Sequence, residues 1–152
     1  MTPVGPTGSF RKRAVLPPIM TLVVVPVRYP LSRHSRATLE RAIEVAREHD
    51  ADLTVLHVNL YQNDETVTRA ELKSAVEAVF GRLDRARFVV RPGFLVEETI
   101  LDEVAAEDAD YVVIGRKQAG RWRRMVRQLI DDPDIEGYLR SKLDCDIITA
   151  SA

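Results

Sequence analysis

Residues 93–115, GFLVEETILDEVAAEDADYVVIG, decide how the rest of the chain is read. Val96, Ile100, Val104 and Ala105 recur at helical spacing, with acids expected on the opposite face. Asp108-Ala109-Asp110 interrupts that pattern. Tyr111-Val112-Val113-Ile114 then forms a short, wholly apolar run. Such a strand is covered on both faces, which is the habit of a parallel sheet sandwiched by helices. Gly115 stands where this strand leaves the sheet. At such a place a glycine permits a sharp turn and lets backbone N–H groups approach a phosphate.

Working outward, the same alternation repeats. Thr21–Val27 (TLVVVPV) reads as the first strand, followed by a loop, Arg28 to Arg33, with Pro30. A helix from about Ser35 to His49 carries Leu39, Ala42, Ile43 and Ala46 inward. Leu53–Asn59 (LTVLHVN) is the second strand, and Gln62-Asn63-Asp64 a polar loop. The clearest helix stripe is Leu72, Ala75, Val76, Val79, Phe80 and Leu83. Arg87–Arg91 is the third strand, and Pro92-Gly93 turns toward the next helix. After Gly115 the spacing predicts a loop, Arg116 to Gly120, and a helix from Arg121 to Ile130. Trp122, Val126, Leu129 and Ile130 share one face of that helix. Asp131-Asp132-Pro133-Asp134 then precedes a helix bearing Ile135, Tyr138, Leu139 and Leu143. Asp146–Ala150 (DIITA) is the last strand. The expected fold is α/β: a Rossmann-like, open, five-stranded parallel sheet with helices on both faces.

Composition narrows the classes of function. The 152 residues suit one domain. A net charge of −1 argues neither for nor against nucleic acid. A single cysteine, Cys145, excludes an internal disulfide and a cysteine-rich metal site, and reads as a small buried residue beside the last strand. No apolar run has the length of a membrane span, and no signal peptide is evident, so a cytoplasmic location is expected. Residues 1–19 hold Pro3, Pro6, Pro17, Pro18 and the triplet Arg11-Lys12-Arg13, without apolar periodicity. They are expected to be a disordered tail or sequence upstream of a start at Met20 instead of Met1. The domain is expected to run from 20 to 152.

LVVVPV with its Ser-containing loop, ADLTVLHV, the 93–115 segment and DCDIITA together resemble the universal stress protein family, across Met20 to Ala152. The resemblance implies the strand order 3-2-1-4-5 and a homodimer paired through the last strand. It also implies where a nucleotide would lie: at the carboxyl ends of the strands, near Pro26, Val27, Arg28, Val58, Gly115, Arg116, Lys117, Gly120 and Arg121. In the family an aspartate after the first strand meets adenosine, and Arg28 stands there in this chain. The family's phosphate motif, G-x-x-G-x9-G-[ST], keeps only its first glycine, as Gly115. Gln118 replaces the second glycine, although Gly120 is close. Pro133-Asp134 stands at the Gly-Ser or Gly-Thr pair, five residues later than the family spacing. Proline has no N–H to donate, and a carboxylate repels an anion. ATP is therefore not the expected cofactor, and none is assigned.

Arg116, Lys117, Arg121, Arg123, Arg124 and Arg127 place six cations within twelve residues, with no acid among them. Arginine forks suit phosphate oxygens. Charge runs are usually solvated helix faces, which is the reading for Arg123 and Arg127. For Arg116, Lys117 and Arg121 an anion site is equally open, and nucleic acid is not the expected partner. Trp122, on the apolar stripe, reads as a packed residue and His57 as a strand residue. His34 marks a helix start. Ser32, His34 and Asp64 make no triad, since nothing positions an oxyanion hole. The expected function is a non-enzymatic stress or regulatory protein that acts by binding. One alternative is a sensor of an anionic small molecule or nucleotide through residues 116–124. Another is a nucleotide-cleaving enzyme of the adenine nucleotide α-hydrolase group, which needs a phosphate loop that the sequence lacks.

Overall fold

The computed structural model describes residues 20–64, 66–131 and 145–150. The 1–19 tail, the Pro133-Asp134 pair and the helix expected around Ile135 to Leu143 lie outside them. Strands and helices alternate: β1 Leu22–Pro26, α1 Arg33–Glu48, β2 Asp52–Leu60, α2 Arg69–Phe80, β3 Ala86–Gly93, α3 Val96–Glu107, β4 Tyr111–Gly115, α4 Arg116–Ile130 and β5 Asp146–Ala150. The five strands pair in parallel in the order β3-β2-β1-β4-β5. This is the predicted open α/β sheet.

The β-branched runs explain the sheet. Val23, Val24 and Val25 are all fully buried, because successive side chains point to opposite faces and both faces are covered. Val23 and Val25 meet Leu39, Val45, Leu72, Val76 and Phe88 on the α1–α2 side. Val24 meets Leu56, Ile100, Val104, Val112 and Trp122 on the α3–α4 side. Helix starts follow local chemistry. Ser32 caps α1 by accepting from the Ser35 amide. Thr68 and Glu71 form a reciprocal capping box at α2. Asp108, in the left-handed region at φ 56°, ends α3.

Several expectations need correcting. Pro92 and Gly93 belong to β3, where Pro92 pairs Asn59 and Gly93 pairs Leu60. Proline is tolerated because β3 is a sheet edge. Gly93 is required there: a Cβ would come 2.1 Å from Thr99 Oγ1 of α3. Val79 and Ile130 are exposed, because their helices each bury a narrower stripe. Cys145 is half-buried just before β5 and not fully enclosed. The acids of α3 do not all face water, since Glu103 is buried. Most important, Arg116 to Gly120 is not a loop; α4 begins at Arg116, directly after Gly115.

Candidate functional site

In parallel sheets, ligands gather at the carboxyl ends of strands where strand order reverses. Here that point lies between β1 and β4. Their pairing runs Val23↔Tyr111 and Val24↔Val112 and then stops, whereas β1 and β2 stay paired through Pro26↔Leu56. Pro26 has no N–H to continue a ladder. By topology, the crevice of such sheets falls here, where the β1–β4 ladder ends beyond Val24 and Val112.

The exit of β1 is tightly held. The Val27 amide donates to Leu56 O at 2.8 Å. His57 Nδ1 donates to Val27 O at 3.1 Å. The Arg28 amide donates to Ser35 Oγ at 3.0 Å, and Ser35 itself bonds Ser32. Pro26 and Val27 are buried, while the Arg28 side chain is exposed at the rim. Tyr29 sets its ring edge toward His57 and, with Ala70, Glu71, Ser74 and Ala75, borders an open hollow of about 440 Å³. A second hollow, of about 370 Å³, lies between Ala46, Leu53, Leu83 and Arg85, at the amino ends of the strands and away from the crevice. Val58, near the carboxyl end of β2 and paired with Arg91 of β3, is buried in the α3–α4 core.

The start of α4 forms the other wall. Gly115 adopts φ −66° and ψ 157° and supplies no side-chain cap. The first amides of an α-helix have no intrahelical acceptor, and Gly115 has no side chain to supply one. Ala119, Trp122 and Val126 turn into the core, while Arg116, Lys117, Arg121, Arg123, Arg124 and Arg127 are exposed. Gly120 is inside the helix, and a Cβ at Gly115 or Gly120 would meet nothing within 4 Å. Neither glycine is therefore needed for protein packing.

The structure brings Pro26, Val27, Arg28, Val58, Gly115, Arg116 and Lys117 to the same end of the sheet. Arg121 is differently engaged. Its Nε lies 3.4 Å from Glu97 Oε2 in the first turn of α3, and Gln118 Nε2 lies 3.5 Å from the same oxygen. Glu97 was not a candidate in the sequence; no local pattern joins residues more than twenty positions apart. Ser35 was equally hidden, although Ser32 and Ser35 have the spacing of a capping pair.

A second polar cluster lies away from the crevice. Glu103 and Glu107 of α3 turn in on β2 and β3. Arg91 bonds Glu103 at 2.8 Å, Arg87 bonds Glu107, and the Thr54 hydroxyl donates to Glu107 at 2.7 Å. Burial, and after it the neighbouring Glu103, pushes the Glu107 carboxyl up. Burial also works to raise Glu103, but hydrogen bonds with Glu107 and Arg91 outweigh it and hold that carboxyl below its usual range. As a carboxylate, Glu107 leaves Oε2 buried with no donor among the described residues; as an acid it could share its proton with Glu103. Among the described residues no three His, Cys, Asp or Glu side chains form a metal-ligand set, and no helix is long and apolar enough to cross a membrane.

Comparison with known proteins follows the same lines. No curated protein sequence matches the chain. The fold is shared with the universal stress protein UspA from Lactobacillus plantarum, at 20% identity and a TM-score of 0.55, over 86% of this chain and 97% of that one. A universal stress protein from Archaeoglobus fulgidus is similar at 16% identity and a TM-score of 0.51, over 87% and 98%. These likenesses concern architecture. In sequence, residues 20–130 match the model of the universal stress protein family, a span that takes in the β1 exit, the crevice and all of α4. With most of its length matched and the same sheet order underneath, the chain belongs to the universal stress protein family.

Proposed function

We propose that this universal stress protein acts by binding and not by catalysis, and that its cleft does not hold ATP in the family's usual way. The observation that carries this reading is the helix at Arg116. A phosphate-wrapping loop needs extended, flexible backbone after Gly115; here that stretch is already helical, and its Arg and Lys side chains point outward. At the β1 exit the exposed Arg28 stands where an acid would meet adenosine. What the crevice offers is a set of helix N-terminal amides flanked by Arg116 and Lys117, which suits a small anion such as a phosphate-bearing metabolite.

Calorimetry with millimolar ATP and magnesium should give little or no heat. A micromolar dissociation constant would sink the reading. Inorganic phosphate should raise the melting temperature by mass action, and Arg116→Ala with Lys117→Ala should abolish that rise. Arg121, held by Glu97, should matter less than these two.

The assembly reading belongs here as well. β5 pairs β4 on one side and is the last strand of the sheet. Ile147 and Ile148 are half-buried on it. An open apolar edge invites pairing, and a two-fold partner would remove it. A homodimer through β5 should become monomeric in light scattering when Ile148 is changed to proline. A monomer at all concentrations of the unmutated protein rejects that pairing.

A further inference from the structure

If Arg116 to Gly120 were a loop, the six cations would divide between two elements, and nucleic acid would not be an expected partner. One continuous helix gathers them. Over Arg116–Ile130, α4 is about 22 Å long at about 1.5 Å per residue. Its core side is Ala119, Trp122 and Val126. Turning about 100° per residue, Lys117 and Arg124 fall opposite that core side, and Arg116, Arg123 and Arg127 form a row on the flank about 90° from it. Gly120 sits between the two rows over open space. No acid occurs from Arg116 to Ile130. Arg121 pairs with Glu97 at its margin. Among the described residues, no carboxylate is paired with Lys117, Arg123, Arg124 or Arg127.

We propose that this outer face of α4 docks on the phosphate backbone of nucleic acid, without regard to base sequence. Five of the six cations are arginine, whose planar fork matches phosphate oxygens better than an ammonium does. The length of the face equals the rise of about six base pairs at about 3.4 Å each. Gly120 lets the rows approach a strand without a side chain in between. No residue of the face has the shape of a base-reading wedge, and phosphate contacts position a protein but carry no sequence information. A lipid surface fits less well. A helix lying in a bilayer interface must give its apolar side to the lipid, and α4 has spent that side on Trp122 and the core. An acidic protein partner fits less well too, because the face lacks the apolar centre of a protein interface.

The test uses the full chain and a fluorescein-labelled 20-base-pair duplex, followed by anisotropy between 50 and 200 mM salt. Binding is expected in the range of about 10⁻⁴–10⁻⁶ M, equal for two unrelated sequences and falling steeply with salt. The variant Arg123→Glu/Arg124→Glu/Arg127→Glu should bind at least tenfold more weakly. Its log–log salt slope should be shallower by about 0.9 for each lost phosphate contact. Circular dichroism reports whether it folds. If it does not, the single variants Arg124→Gln and Arg127→Gln replace it, each expected to weaken binding and flatten the slope. Absence of binding at 50 mM salt, unchanged affinity in the folded variants, or binding to phosphatidylglycerol vesicles in preference to the duplex overturns the proposal. The phosphate effect at the start of α4 should persist in the triple variant. Loss of duplex binding with phosphate stabilisation intact therefore separates this surface from the crevice.

Discussion

Two helices leave the carboxyl edge of the sheet in opposite ways. α2 begins closed: the Thr68 hydroxyl accepts from the Glu71 amide, and the Glu71 carboxylate accepts from the Thr68 amide. Those hydrogen bonds hold the Glu71 carboxyl below its usual range. An acid sits at the positive end of the helix dipole, where it stabilises. α4 begins open: Gly115 provides no cap, Arg116 and Lys117 put cations at the positive end, and Gly120 breaks an otherwise good helix sequence. Each of those choices opposes helix stability. α2 is built to hold itself, and α4 is held from beneath by packing, with its start uncapped and its outer face exposed.

The contrast can be broken hardest at what anchors α4. Trp122 is fully buried, yet its Nε1 has no acceptor among the described residues. Trp122→Ala should cost about 3–5 kcal/mol in urea denaturation. Trp122→Phe should cost much less, because most of the volume stays and an unpartnered buried N–H is removed. Equal losses for the two variants would mean that the indole N–H is bonded, and that α4 is not held by apolar packing alone.

α3, between the other two helices, sharpens the comparison through charge. Its buried Glu103 relies on Arg91, which is itself half exposed. Arg91→Ala should cost about 2 kcal/mol, below the 3–5 typical of a wholly buried pair. The two carboxyls also set a pH dependence. A raised carboxyl, as in Glu107, contributes stability that is present below its unfolded value and is lost as pH rises through the folded one. A lowered one, as in Glu103, contributes stability present above its unfolded value and lost as pH falls. The pair titrates as a unit. Denaturation midpoints should therefore decline as pH rises from the ordinary carboxylate range through the raised value of Glu107. In Glu107→Gln, which can still accept from Thr54 and donate to Glu103, that decline should vanish. A decline of the same size in the variant would place the titration elsewhere.

Much of this was legible in the chain. Ile100 with Val104, and Leu72 with Val76, mark inner helix faces by spacing alone, and the valine runs mark a doubly covered sheet. The order of the strands was not readable from periodicity; it came with the family resemblance, since parallel pairing joins distant segments. The start of α4 reads as a loop in the sequence because Gly115 and Gly120 suggest a phosphate site, whereas the helix begins at Arg116. Arg, Lys, Gln and Ala are good helix formers, and burying Ala119, Trp122 and Val126 outweighs the roughly 1 kcal/mol cost of one internal glycine. The inward acids were invisible because Thr54, Arg87 and Arg91, which make their burial tolerable, come from other strands. Yet Glu103 and Glu107 follow Ile100 at three and seven positions, which is the inner stripe.

Removing the α2 cap is the direct counterpart of what α4 already lacks. Thr68→Ala should cost about 1 kcal/mol. It should also lessen the loss of stability that accompanies protonation of Glu71 as pH falls through its lowered value, because half of the reciprocal box is gone. A thermal midpoint unchanged from the unmutated protein would mean that α2 is held by Leu72 and Val76 alone, and that closed and open helix starts differ little here.

The smallest effect is the most discriminating, because its sign is positive. Lys117→Glu gives α4 the first-turn acid that α2 has. Lys117 is exposed, so the change meets the dipole and solvent with no packing to rebuild. Stability should rise by about 0.3–1 kcal/mol at low salt, and the gain should shrink as salt screens it. Gly120→Ala should add about 0.5–1 kcal/mol for a separate reason: its new Cβ meets nothing, and alanine loses less freedom on folding than glycine. The two changes should part company when phosphate is added. Gly120→Ala leaves the amides at the start of α4 and both neighbouring cations in place, so phosphate should still raise its melting temperature. Lys117→Glu sets a carboxylate beside those amides, so its gain should come with loss of the phosphate effect. A Lys117→Glu protein that is both more stable and still stabilised by phosphate would show that the open start of α4 is not what receives the anion.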